Sequence, residues 1–149
     1  GGQGFFLPVP FIADSAEDRK VLISQRSVAR AMEIARTVSV CFISAGELTE
    51  DSLLRRQNML SKSELESLHA AGAIGDTNGI FFDKDGHQVD HEMNKRTIAL
   101  GFSELQKVQV VLLIAGQEKA VAAKALLKSG IVNGLIIDGD AAEALLALS

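Results

Sequence analysis

A single cysteine, Cys41, is all the thiol that this 149-residue chain carries. One thiol builds neither a disulfide framework nor a thiolate-rich metal site. Runs of basic residues are missing too: Lys and Arg total 15 against 19 Asp and Glu, a formal net charge of −4. Phosphate backbones are bound through clustered positive charge, so this balance leaves no electrostatic footprint for nucleic acid or an anionic membrane. No apolar stretch approaches the length of a membrane span, and no signal-peptide pattern is visible. Together these absences predict a reducing, cytoplasmic setting. Internal repeats and low-complexity tracts are also lacking.

What is present is a foldable core. Hydrophobic residues make up 47% of the chain and charged ones 23%, which excludes a disordered or fibrous protein. The length suits one domain. Three short continuous apolar runs, Ser39–Ser44, Val110–Ala115 and Gly134–Asp138, read as strands covered on both faces of a parallel sheet. Helical patterns lie between and after them. One begins near Ser15 and breaks around Ser24, with Val28, Met32 and Ala35 at helical spacing in its second half. Ser61 and Glu64 form a capping box for another, which Gly72 is placed to stop. A third follows Gly116, from about Glu118 to Lys128, and the last is capped by Gly139 or Asp140. The alternation predicts an α/β fold, a three-layer α/β/α sandwich with a mostly parallel sheet.

Two segments interrupt that pattern. Residues 4–11 are extended, but Pro8 and Pro10 cannot donate to a ladder, so they form an edge or a crevice-lining loop. Residues 79–90 read as an inserted β-hairpin with Asp85-Gly86 as its turn.

The stretch from Gly72 to Gly86 holds four glycines, three aspartates and two adjacent phenylalanines. A dinucleotide fingerprint needs its glycines directly after a strand and opening a helix. Here a helix precedes and a strand comes after. A calcium loop needs glycine at its sixth position, whereas Gly86 is fourth in a loop that starts at Asp83. There remains a helix-to-hairpin loop in which Gly75 and Gly79 flank Asp76, Thr77 and Asn78. Such a loop could offer hydrogen bonds to sugar hydroxyls. An aspartate there ordinarily satisfies backbone donors of its own turn, and on pattern alone that reading leads.

Lys119 is the second signal. Helical residues advance about 100° each, which puts Lys119 on the face of Ala122, Ala123 and Leu126, away from Lys124. A cation in the first turn opposes the helix dipole, and its side chain leans back towards the crevice at the strand ends. Free N–H groups just after Gly116 would attract anions to that crevice. An anion there would resolve the conflict; a long stem reaching water is the alternative. His87 and His91 would lie about 13 Å apart on a strand, too far to share a metal. Glu47 and Asp51 come after a strand end and could face the same crevice. No nucleophile–base pair, metal site or cofactor motif is visible.

Gly72-Ala73-Ile74-Gly75-Asp76, Gly79, Phe81-Phe82-Asp83 and Gly86 are followed by Asn94, Arg96, Leu105, Ala115-Gly116, Glu118-Lys119-Ala120, Leu135-Ile136 and Asp138. In that order, from about Phe6 to Leu146, they resemble the effector-binding domain of SorC/DeoR-type sugar-responsive bacterial transcriptional regulators. That domain is grouped with the glucosamine-6-phosphate deaminase and ribose-5-phosphate isomerase folds. The resemblance implies a ligand-sensing domain without a cofactor, binding a phosphorylated sugar or related metabolite. Asp76 would hold sugar hydroxyls and Lys119 the ligand's oxygens or phosphate. Gly46, Gly116, Phe81, Pro8 and Thr77 would line the pocket. Ser44-Ala45-Gly46, Thr77-Asn78 and Gln117 depart from the family's usual residues. The family's N-terminal helix-turn-helix and the early part of its effector domain are not seen, so residues 1–149 are expected to be one partial domain. DNA binding would then belong to a longer parent, a homo-oligomer. The alternative is a sugar-phosphate isomerase or deaminase of the same fold group.

Overall fold

The computed structural model describes residues 2–148. In chain order the elements are α1 (Ala16–Ser24), α2 (Arg26–Arg36), β1 (Val40–Ser44), β2 (Gly46–Glu47), α3 (Leu53–Arg56), α4 (Lys62–Ala70), β3 (Gly75–Thr77), β4 (Ile80–Phe82), α5 (Glu92–Arg96), α6 (Phe102–Leu105), β5 (Gln109–Ile114), a 3₁₀ turn (Gln117–Lys119), α7 (Ala120–Lys128), β6 (Gly134–Ile137) and α8 (Gly139–Ala147). Strands β1, β5 and β6 form a parallel sheet in the order β1-β5-β6, and β2, β3 and β4 form an antiparallel one. The result is the mixed α/β fold with a mainly parallel sheet that the apolar runs predict, consistent with a three-layer α/β/α architecture.

Helix ends obey their sequence signals. Ser15 caps α1 by accepting from the Asp18 N–H at 3.0 Å. The capping box at α4 closes both ways: Ser61 Oγ accepts from the Glu64 N–H at 3.2 Å, and Glu64 Oε2 accepts from the Ser61 N–H at 2.8 Å. Two ends differ from expectation. Asp138, not Gly139 or Asp140, caps α8, accepting from the Ala141 N–H at 2.8 Å. The helix after Gly116 starts as a tight 3₁₀ turn and becomes α-helical only at Ala120.

The hairpin also lies elsewhere. Its strands are β3 and β4, paired from Gly75↔Phe82 to Thr77↔Ile80, and its turn is Asn78-Gly79. Both turn residues are left-handed, at φ 51° and 72°, as a two-residue type I′ turn requires. Asp85-Gly86 does make a turn, but the chain beyond it pairs back only through a single Phe82↔Gln88 bridge. Asn94 takes over where a third strand would pair. Its Oδ1 accepts from the Phe81 N–H at 2.7 Å, and its Nδ2 donates to Phe81 O at 2.9 Å and Val89 O at 2.8 Å.

Two cores result, and the phenylalanine pair joins them. Successive strand side chains point to opposite faces. Phe82 packs into the core beneath the parallel sheet, with Ile43, Val110, Leu112 and Leu126. Phe81 packs into the other, with Leu60, Leu68 and Met93. Both rings are fully buried, each worth roughly 1.5–3 kcal/mol of transfer free energy.

The chain leaves β1 at its carboxyl end and enters β2 with only Ala45 between them. That short passage lays the antiparallel sheet across the carboxyl ends of the parallel strands, the place where open α/β sheets hold ligands.

Candidate functional site

Gly46 pairs with Asp76 across β2 and β3. A Cβ at position 46 would lie 2.3 Å from Asp76 Oδ1, so glycine is what lets the carboxylate rest against the neighbouring strand. The other oxygen, Oδ2, accepts from the Gly79 N–H at 3.0 Å. The local-turn role that the pattern favoured is therefore real. It uses one oxygen of two.

A cavity of about 520 Å³ opens beside this carboxyl, lined by Gly46, Glu47, Arg56, Asp76, Asn78, Glu118 and Lys119, with Ser44, Ala45 and Phe11 at its sides. Burial pushes the Asp76 carboxyl up to about 6 from an ordinary 3.8, and the Glu47 carboxylate pushes the same way. The Gly79 amide and the Lys119 ammonium pull against that rise. Lys119 ends the 3₁₀ turn and stands as N-cap residue of α7, half-buried. Among the described residues, the lysines in ion pairs are others: Lys20, Lys84, Lys95 and Lys128. A cation at the positive end of a helix, with no carboxylate at ion-pair distance among the described residues, suits an anionic or oxygen-rich guest.

Three of the predicted residues, Asp76, Lys119 and Gly46, thus meet at one cavity. The other four do not. Phe81 points away, into the second core. Thr77, next along β3, faces opposite to Asp76 and is buried, its hydroxyl without a partner among the described residues. Pro8 is exposed, and Phe11 represents the N-terminal segment at the cavity instead. Gly116 shapes the approach rather than the wall: at φ 95° it is left-handed, and a Cβ there would meet Glu118 Oε1 at 2.3 Å. Nor is its amide free for an anion, because the N–H donates to Asp138 Oδ2 at 2.9 Å.

Sequence reasoning missed Arg56 and Glu118 as wall residues, whereas Asn78, read as part of a loop offering hydrogen bonds, does line the cavity. Asn78 was legible, since Asn-Gly is the strongest two-residue hairpin signal. Glu47 lines the cavity as one alternative had it, whereas Asp51 does not. His91 caps α5, its Nδ1 accepting from the Met93 N–H at 3.2 Å. Among the described residues no three His, Cys, Asp or Glu side chains cluster as metal ligands. A neighbouring cavity of about 560 Å³ is lined by Arg55, Arg96 and Glu64, but its arginines are already engaged: Arg96 with Glu64 and Ala13 O, Arg55 with Glu50 and Leu60 O.

A cleft at the ends of parallel strands that brings a buried carboxyl and a half-buried ammonium to one cavity has the form of an α/β small-ligand-binding domain. Residues 1–147 match the family model described as "Putative sugar-binding domain", and the chain belongs to that family. It is 32% identical to the erythritol catabolism regulatory protein EryD of Brucella abortus over 98% of this chain and 46% of that protein. It is 28% identical to the deoxyribonucleoside regulator of Bacillus subtilis over 94% of this chain and 45% of that one. The solved structure of a DeoR family transcriptional regulator from Listeria monocytogenes superposes with a TM-score of 0.88 at 25% identity, over 94% of this chain and 57% of that one. The chain therefore spans about half the length of the relatives it matches. These three relatives are described as a regulatory protein, a regulator and a transcriptional regulator. No described helix is long and apolar enough to cross a membrane.

Proposed function

We propose that this domain senses a phosphorylated sugar or a closely related metabolite for a cytoplasmic transcriptional regulator. The observation that carries the reading is the convergence of Asp76 and Lys119 on one cavity. They come from separate stretches of the chain and make no mutual demand on folding. Asp76 accepts hydrogen bonds from vicinal hydroxyls of the guest. Lys119 meets its phosphate or its most electronegative oxygens, and Arg56 adds a second cation at the rim. Full-length relatives are regulators of erythritol catabolism and of deoxyribonucleosides by name, which supports a sugar-like guest here. Binding would change operator affinity only by favouring one assembly state of the homo-oligomeric parent over another.

A thermal-shift screen of the full-length parent against sugar phosphates and their unphosphorylated counterparts tests this reading. A ligand that binds only the native state raises its melting temperature, and no shift with any sugar or sugar phosphate would sink the proposal. The isomerase or deaminase alternative draws on one observation, a carboxyl held near 6, where a general base is useful. Turnover of a shifting ligand would establish it; binding without turnover favours the sensor.

A further inference from the structure

Read from the sequence, the start of the helix after Gly116 is where a guest's anion belongs. In the folded chain two of the protein's own carboxylates stand there instead. Asp138 Oδ2 accepts from the Gly116 N–H at 2.9 Å. Glu118 folds back over Gly116, so that a Cβ built at position 116 would lie 2.3 and 2.5 Å from its two carboxylate oxygens. Only a bare Cα, held left-handed at φ 95°, gives that carboxylate its seat.

Among the described residues no cation holds Glu118 in this place: the glutamates in ion pairs are Glu17, Glu50, Glu64, Glu92 and Glu104. Glu118 is exposed and stands in the first turn of the helix, where amide groups favour a negative charge. It answers the same attraction that would draw a phosphate. It also lines the cavity beside Lys119, its neighbour in sequence. On that wall Glu47, Asp76 and Glu118 set three carboxyl groups against the two cations Arg56 and Lys119. A phosphate monoester carries a charge of about −1.5 to −2 at pH 7 and enters against that balance. Asp76 is buried and bound to the Gly79 amide, whereas Glu118 can leave by rotation of its own side chain.

We propose that Glu118 is a selectivity residue of this cavity: its carboxylate competes with a guest's phosphate for the turn from Gly116 to Lys119. It lowers the affinity for phosphorylated guests and leaves that for unphosphorylated ones unchanged. The inference rests on the sensing function proposed above and sets the concentration range over which a phosphorylated guest is sensed. Such a guest reaches Lys119 by displacing the glutamate into solvent, and the helix start exchanges one negative charge for another. An uncharged sugar held by Asp76 meets no such competitor. A purely structural part for Glu118, steadying the first turn of the helix, is the competing account.

Inorganic phosphate is the probe that separates the two, because it reads the anion's place without a sugar. The full-length parent and its Glu118→Gln and Glu118→Asp variants are melted in rising phosphate, each against sodium chloride of equal ionic strength at the same pH. Glutamine keeps the size of the side chain and removes its charge; aspartate keeps the charge. The Gln variant is expected to reach a given phosphate-dependent rise in melting temperature at on the order of tenfold lower phosphate than the native parent. The Asp variant should behave as the native parent does, and Lys119→Ala added to Glu118→Gln should cancel the gain. Equal phosphate dependence in the native and Gln proteins would overturn the proposal, and so would a Gln variant that only melts lower in chloride. A gain shared by the Asp variant, or one that survives Lys119→Ala, would overturn it as well. Failure of the sensing function would show separately, as a parent that no sugar or sugar phosphate stabilises, whatever inorganic phosphate does.

Discussion

Asp76→Asn makes the sharpest use of the structure, because it is expected to stabilise the empty domain while damaging its binding. The carboxyl titrates near 6 in the folded chain against an ordinary 3.8. Between those values the folded state holds a proton that the unfolded chain has released, so stability falls as pH rises through this window. Below the lower value both states are protonated and the group costs nothing. Above the upper one the full penalty of a buried charge applies, about 3 kcal/mol at pH 7.5 by linkage. An asparagine escapes the penalty, and its side-chain oxygen can still accept from the Gly79 N–H. Against the upward push of burial, Glu64 is held low by hydrogen bonds from Ser61 and then by Arg96, and Glu104 by Arg36; they impose an opposite trend at acid pH, but it is common to both proteins and cancels in their difference. Urea unfolding of the two chains from pH 4 to pH 8 is the assay. The variant is expected to gain about 2–3 kcal/mol over the native chain at pH 7.5 and less than about 1 kcal/mol at pH 4. A variant that is less stable at neutral pH, or a difference that does not change with pH, would refute the reasoning.

Three other substitutions probe how the site is built. Gly46→Ala drives a methyl group onto Asp76 Oδ1 and should cost about 1–3 kcal/mol in unfolding free energy, with loss of ligand binding in a thermal-shift assay. Gly75→Ala meets Gly46 O at 2.7 Å and the Ala122 methyl at 3.0 Å; a similar loss of stability is expected, since backbone cannot yield as a side-chain tip can. Asn94→Ala strands two backbone groups, the Phe81 N–H and the Val89 carbonyl, while the Phe81 carbonyl keeps the Val89 N–H as donor, and should lower stability by about 2–3 kcal/mol in urea.

Elements whose signal is local were legible. The parallel strands announced themselves as unbroken apolar runs, and the Ser61–Glu64 cap and the break at Ser24 stood where their residues put them. What failed was decided by partners far along the chain. Asp85-Gly86 is as good a turn signal as Asn78-Gly79, yet Asn94 takes the Phe81 N–H and the Val89 carbonyl that would have paired in a longer strand after Gly86. Phe81 sits one residue from a strand end near the cavity, and only the existence of a second core under α4 and α5 explains why it turns away. Asp76 and Lys119 could be singled out because each breaks a local rule: a carboxyl among glycines, and a cation at the wrong end of a helix. Arg56 and Glu118 break none, and nothing short of the fold brings them to the wall.

Whether Asp76 and Lys119 serve one guest is measured most directly by calorimetric titration. A sugar phosphate identified by thermal shift, and its unphosphorylated counterpart, are titrated into the full-length parent and its Asp76→Asn and Lys119→Ala variants. Asp76→Asn should weaken both ligands by about tenfold or more, the equivalent of about 1.4 kcal/mol, and Lys119→Ala should weaken the phosphorylated one selectively. Unchanged affinity in both variants would contradict a shared guest.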